Sequence, residues 1–571
     1  MPFAFPATIP ARTSINAIKA AFAAGLVVWA VPSSAEAGEL PEGFADRVGT
    51  LLDASFKDDG PGAIVVVAKD GEVVYRAVRG MADIEGGVPV SPDTLFRYAS
   101  ITKQFAAATL LKLAEEGKLS LEDPLSKFLP DYPAPGRDVT VRQLLNHTSG
   151  IKSYTSIPGW MTEENTTRVY TTETLIDEFK DQPQDFPAGT KYAYNNSGYV
   201  LVGAVIEAVT GKPWNVAMID EVTGDLAVPS IDIFLNESEV PNTAIGYSIG
   251  EGGKTVLARK IHATGPGAAG ALRGTADDLI RWTEALNSGK VLSDAWFEAM
   301  VTPTALPGGE SRAYGFGLGV EPVKGHRAIG HSGGIFGFST DVLHLPDDGI
   351  SVAMLANSDR TRASLMVARI AMAAAGDPFE RFTAVKPDMA AVSPLFGKYA
   401  VGEGTTREFY ERDGKLYTLR SGSSESEVFA AEGGRFFYGP TSLTWFDFTT
   451  GADGKPVMQM YPNGAQEPET ASYAGPIKAV ETVTIARDVL QQYAGSYTTE
   501  YGKAVFTLDD DDTLSLTFAG QPPAALMAIA DATFKTAGVD ATITFAPSEE
   551  GMTMTLSQGP VTLKAVRDPD A

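Results

Sequence analysis

From Asp377 onward the sequence carries only short alternating strand patterns, and it carries them twice. Gly397-Lys398-Tyr399 recurs as Gly495-Ser496-Tyr497, and Asp413-Gly414-Lys415-Leu416 recurs as Asp511-Asp512-Thr513-Leu514, both at an offset of 98 residues. Each copy closes with a strand, a Gly-containing turn, a strand and an Asn463-Gly464 or Gln558-Gly559 step. Self-similarity at a fixed period marks two copies of one folding unit. Short strands between turns build small antiparallel barrels or sandwiches. The tail therefore reads as two β-barrel-like domains, 394–480 and 485–571, behind a proline-containing linker over 377–393. At 571 residues the chain also exceeds the roughly 250–300 at which one core stops growing.

The part before the linker has another texture. Ala63 to Ala68 is an apolar run, Lys69-Asp70-Gly71 a hairpin turn, and Val73 to Val78 the returning strand. Helical periods follow over Ile101–Glu116 and Tyr199–Val209, closed by Gly117 and Gly211, and Thr275 opens a helix running to about Leu286. Strands then return over Asp341–Leu345 and Ile350–Leu355, around Asp347-Asp348-Gly349. Strands at both ends with helices between predict one α+β domain, an antiparallel sheet with helices, over 38–376. Ahead of it, Arg12 and Lys19 flank an apolar stretch from Ala20 to Val31, and Ala35-Glu36-Ala37 offers a small-x-small cleavage site. Residues 1–37 are thus read as a signal peptide and the protein as exported, periplasmic or secreted.

Composition removes several classes of function. The net charge of −25 makes a nucleic-acid backbone or an anionic membrane surface a poor partner, and no later segment reads as a membrane span. Without cysteine there is no disulfide, thiolate metal site or cysteine nucleophile. The five histidines form no H-E-x-x-H pair, so no metal or other cofactor is expected. His147 is read as a loop-packing residue, His262 as lacking a partner and His326 as exposed.

Chemistry concentrates in three places. Ser100-Ile101-Thr102-Lys103 opens a helix whose Phe105–Leu111 stretch carries no charge and must be buried. Three residues is nearly one helical turn, so Ser100 and Lys103 share a face. A desolvated lysine has a lowered pKa, and a serine hydroxyl needs such a base to become a nucleophile. Tyr194-Asn195-Asn196 stands just before a helix, where a phenol relays a proton and an amide binds a substrate amide. His331-Ser332-Gly333-Gly334 precedes a strand, where glycines let a substrate approach the strand edge and a backbone N–H complete an oxyanion hole. Gly330-His331-Ser332-Gly333-Gly334 also matches a G-x-S-x-G elbow with Ser332 as nucleophile, but a strand follows it where a helix is required.

The order Ser100-x-x-Lys103, Tyr194-x-Asn196, His331-x-Gly333 resembles that of the penicillin-recognising serine hydrolases, in the class C β-lactamase-like branch with its D,D-peptidases, D-aminopeptidases and esterases. Phe96–Lys103 and Leu144–Gly150 are similar to that family's usual phrases. The resemblance covers roughly 40–375. It implies a β-lactamase/D,D-peptidase-like catalytic domain in which Ser100 is acylated, Lys103 is its base, and Tyr194 carries protons for the leaving group and the deacylating water. It assigns Asn196, His331, Ser332 and Gly333 to substrate binding. His331 stands where β-lactamases carry lysine, which turns the expectation from antibiotics toward a small-molecule or peptide substrate with a D-residue. A carboxylesterase or weak β-lactamase is the alternative within the family, and a non-catalytic penicillin-binding scaffold the alternative outside catalysis. D-aminopeptidase-like members similarly carry two β-barrel domains after the catalytic one, and there these can shape the substrate entrance.

Overall fold

The computed structural model describes residues 39–569 apart from 234–239, 251–252, 403, 440–441, 500–501, 519–522, 537 and 560. The segment read as a signal peptide lies outside the described residues.

The catalytic domain is organised by one five-stranded antiparallel sheet. Helix α1 (Phe44–Asp53) precedes strands β1 (Ala63–Lys69) and β2 (Glu72–Arg79); β3 (Ile329–Ile335), β4 (Phe338–Leu345) and β5 (Ile350–Ala356) come from the far end of the domain. The order is β3-β4-β5-β1-β2, so the first and last parts of the domain meet at β1 and β5, in a register that pairs Ala63 with Ala356 and Lys69 with Ile350. β1 is apolar on both faces because both are covered. Ile64, Val66 and Ala68 enter the larger core, while Ala63, Val65 and Val67 enter a second one. That period-two division is how a continuous apolar run sits in the middle of a sandwich.

The second core lies under α1 and α5 (Ala363–Ala374). The larger core holds α2 (Thr102–Glu115), α3 (Asn196–Thr210) and α4 (Ala276–Asn287). α2 is buried on nearly every side, as its uncharged run requires, and two of its polar side chains bond within the core. Thr102 Oγ1 accepts from Leu272 N at 3.1 Å, and Gln104 Oε1 from Trp282 Nε1 at 3.0 Å. Asn195 caps α3, its side chain accepting from Gly198 N, so the helix begins three residues earlier than the apolar period indicates. Among the described residues no helix is long and apolar enough to cross a membrane.

Beyond the linker, eight strands from Gly397–Gly402 to Glu469–Gly475 close into a barrel, and eight more from Gly495–Thr499 to Val561–Val566 form a sheet whose ends meet at a Tyr497–Arg567 bridge. The repeat survives at atomic detail. Tyr399 and Tyr497 are both fully buried, and each hydroxyl donates to a carbonyl four residues back, Leu395 and Tyr493.

Among the described residues, none of either barrel lines the cavity at the serine site. The first docks behind the sheet, where Phe379 and Leu443 join the core under α1 and α5. Arg369 on α5 donates to the Ser442 carbonyl, Lys324 pairs with Asp377, and Gln466 Nε2 donates to the Lys324 carbonyl at 2.8 Å. The second is held to the first by Glu425 N to Gly538 O (2.7 Å) and Asp540 N to Ser423 O (3.0 Å). No described residue after 377 lines the cavity at Ser100. The apolar patch that receives the first barrel lies on the opposite face of the sheet.

Candidate active site

Ser100 sits in a 3-10 turn, Ala99–Ile101, leading directly into α2, and Ala99 adopts a left-handed φ of +51°. The turn brings Ser100 and Lys103 together as their spacing predicts. Lys103 has no exposed surface, and its Nζ donates to Ser100 Oγ (3.1 Å), Asn196 Oδ1 (2.9 Å) and the Ala269 carbonyl (2.8 Å). No carboxylate pairs with it among the described residues. Burial alone therefore holds its pKa well below the usual lysine value.

Tyr194 lies 4.7 Å from that ammonium, measured to the ring centre, and its hydroxyl interacts with the Ser100 side chain. One edge of the ring stays open, with 42% of the residue exposed. Burial of the hydroxyl raises its pKa and the Ser100 contact only partly opposes this, so the phenol is neutral at ordinary pH. Lys103 is thus the group poised to lose a proton. Asn196 is fixed at both ends, its Oδ1 by Lys103 and its Nδ2 by Thr155 Oγ1 (3.1 Å), which leaves one Nδ2 proton free for a ligand.

β3 is the outer strand of the sheet. Gly330 exchanges both backbone bonds with Gly319, on the side away from β4 (2.8 and 3.0 Å). Because successive residues point their amides to alternate sides, Ser332 and Gly334 also turn theirs outward. Gly334 lines the same cavity of about 410 Å³ as Ser100, with Met161, Ile261 and Phe336 supplying apolar wall. Gly333 allows this approach, since a Cβ there would overlap the Tyr98 carbonyl oxygen and Thr340 Oγ1. Ser332 lies mid-strand with its side chain exposed and another strand after it, so the elbow geometry is absent.

His331 faces the site but is fully engaged with the protein. Nδ1 donates to the Ser332 carbonyl (2.6 Å) and Nε2 accepts from the Tyr314 hydroxyl (3.0 Å). Burial and the neighbouring Lys103 lower its pKa to about 3, so it is a neutral ring. Tyr314 carries no motif in the sequence, and His147 is read there only as packing in its loop. Tyr314 is placed by the glycine-rich stretch after it, where Gly317 (φ +73°) packs on the Lys103 backbone. His147 is buried, 4.4 Å from the Tyr194 ring and 4.8 Å from that of Tyr314. Its place in the phrase Leu144–Gly150 was the only available signal. The other histidines correct two expectations: His326 is partly buried against Asp348 (2.8 Å), and His262 Nδ1 meets Thr264 Oγ1 (2.8 Å).

A serine beside a buried unpaired lysine, a neutral phenol and an outward-facing glycine amide is the equipment of an acyl-transferring serine hydrolase. The family model for beta-lactamase matches residues 44–377, and the chain belongs to that family. It is 29% identical over 436 residues to penicillin-binding protein 4* of Bacillus subtilis, covering 71% of this chain and 93% of that one. It is 28% identical over 376 residues to a D-aminopeptidase of Gluconobacter oxydans, covering 63% and 67%. Among solved structures, a D-stereospecific amidohydrolase from Streptomyces sp. superposes with a TM-score of 0.50 at 30% identity, covering 57% of this chain and 98% of that one.

Proposed function

We propose that this serine hydrolase cleaves amide bonds beside D-residues, as a D-aminopeptidase or D,D-peptidase-like enzyme, with Ser100 as nucleophile. The observation that carries the reading is the 3.1 Å contact between Ser100 Oγ and a buried Lys103 with no counter-ion. In its neutral form Lys103 takes the Ser100 proton as Oγ attacks the substrate carbonyl. The developing oxyanion is met by the backbone N–H groups of Ser100 and Gly334. As the carbon–nitrogen bond breaks, the proton passes through Tyr194 to the departing nitrogen. A water then loses its proton to the same pair, attacks the acyl carbon and restores Ser100. Asn196 orients the substrate amide with its remaining Nδ2 proton.

Within the class, a neutral His331 with both nitrogens engaged supplies no cation for a substrate carboxylate. That supports amides and amino-terminal substrates over carboxypeptidase or β-lactam substrates. The kinship with a D-aminopeptidase and a D-stereospecific amidohydrolase supports the D-configuration. A carboxylesterase is the second reading, favoured by the apolar walls of Met161, Ile261 and Phe336. We also propose export through residues 1–37, to be read from a mature protein beginning at Gly38.

The test is covalent labelling by a fluorophosphonate together with turnover of D- and L-alanine amides and p-nitrophenyl esters. Labelling that persists in Ser100→Ala overturns the nucleophile. Faster turnover of the L-amide overturns the stereochemical reading, and turnover of esters alone selects the second one.

A further inference from the structure

In the proposed mechanism Tyr194 protonates the leaving group, so the departing half of a substrate must lie beside Tyr194, which lines an opening that Ser100 does not. That place is a groove of about 290 Å³ crossing the outer edge of β3. Tyr194 and Tyr314 form its front lip, Glu321, Ser332, Asp341 and Ser364 supply polar groups, and the rest of the lining is largely glycine and apolar side chain. The groove exists because β3 has almost no side chains on its rear face. Gly330 sits opposite Leu343 and Ser332 opposite Asp341, so a ligand passing over the edge strand reaches the next strand directly.

Asp341 is 7% exposed and has no cation beside it among the described residues; its contact is with the Val342 backbone N–H. Glu321 is exposed at the rim. Among the described residues no lysine or arginine lines the groove, and its imidazole, His331, has both nitrogens occupied. A carboxylate on the leaving group would meet two acids there and no donor cation. An ammonium would meet two acceptors together with the Ser332 and Ser364 hydroxyls.

We propose that this groove is a leaving-group subsite for a primary ammonium, with Asp341 as its specificity-determining residue, so that the preferred substrates are amides of short diamines or of amine-bearing side chains. The inference rests on the serine hydrolase reading, because it takes the direction of the leaving group from Tyr194. Burial without a partner raises the Asp341 pKa to about 7, and an arriving ammonium lowers it again, which favours the charged pair at neutral pH.

The experiment compares kcat/KM for three D-alanine amides at pH 8: the N-(3-aminopropyl), N-butyl and N-(2-carboxyethyl) amides. The expected order is cation over neutral by about tenfold, with the anion slowest. In Asp341→Asn the cation-to-neutral ratio falls below about two. Glu321→Lys, at an exposed position independent of core packing, moves the ratio toward the anion. Equal rates on all three amides, or an undiminished ratio in Asp341→Asn, overturns the subsite. A second arm measures binding of 1,3-diaminopropane against butylamine to the Ser100→Ala protein by calorimetry. Diamine binding that Asp341→Asn abolishes supports the subsite even if no amide is turned over. Absence of preferential diamine binding counts against it even where Ser100 is labelled. Failure of the serine chemistry and failure of the subsite are thereby told apart.

Discussion

His147 brackets Tyr194 from both sides of the chain: its Nδ1 accepts the N–H of Asn195 at 3.1 Å, and its carbonyl accepts the N–H of Ala193 at 3.0 Å. Its ring also packs against the Tyr194 ring, and its backbone takes a left-handed φ of +60° to do so. With Nδ1 accepting, the neutral ring carries its proton on Nε2, which is buried and among the described residues finds no hydrogen-bond partner. On the proposed mechanism these contacts make it a positioning residue for the Tyr194 relay.

His147→Leu removes the acceptor while keeping apolar bulk, and is expected to lower kcat by about 10- to 100-fold through displacement of Tyr194. His147→Asn retains an acceptor near the Nδ1 position and is expected to recover most of that loss. Steady-state kinetics on a D-alanine amide, with thermal midpoints recorded for both variants, checks this. Equal losses in the two variants would reduce His147 to packing alone.

Two buried groups tilt stability with pH in opposite directions. His331 titrates near 6.5 when unfolded and at about 3 when folded. Below pH 6.5 the unfolded state therefore binds the extra proton, and stability falls as pH drops, by about 2 kcal/mol between pH 7 and 5. Asp341 is raised from 3.8 to about 7, so its contribution is lost as pH rises through 4 to 7, also by about 2 kcal/mol over pH 5 to 7. His331→Gln should make the protein relatively more stable at pH 5 than at pH 7, compared with wild type. Asp341→Asn should do the reverse. Urea midpoints at the two pH values test both, and parallel shifts in the two variants would contradict the assignments.

Gly333→Ala places a methyl where the Tyr98 carbonyl and Thr340 Oγ1 already stand. β3 must move away from the Ser100 turn, taking the Gly334 N–H with it. A fall in kcat/KM of about 100-fold or more is expected, the scale of losing one oxyanion donor. Retention of full fluorophosphonate reactivity in the variant would show that the strand edge is not part of the site.

The barrels are predicted to be energetically separate from the chemistry. Tyr399→Phe and Tyr497→Phe each delete one buried strap and should cost about 1 kcal/mol in their own barrel. Activity on a D-alanine amide should stay within about twofold of wild type in both, because no described barrel residue lines the cavity.

What the sequence made legible was local. Ser100 and Lys103 are one turn apart, so their meeting needs only a helix, and the two barrel copies declare themselves through their shared offset. The rest depends on contacts between distant segments. Tyr314 reaches His331 across 17 residues and His147 reaches Asn195 across 48, and neither partner carries a pattern that announces the other. Asp341 stood in the sequence only as the start of a strand, and it is the register with Ser332 that places it behind the edge strand, beside the groove. The docking face of the first barrel was equally hidden, because α5 and Leu443 are apolar in ways that an ordinary interior would also require.

Lys103 makes the protein less sturdy than its fold permits. A buried amine without a counter-ion opposes folding, and a methionine of similar shape would fill the same space without that penalty. Directed evolution for heat tolerance alone would remove this side chain early, and on the proposed mechanism the tougher scaffold would be left without a base for Ser100.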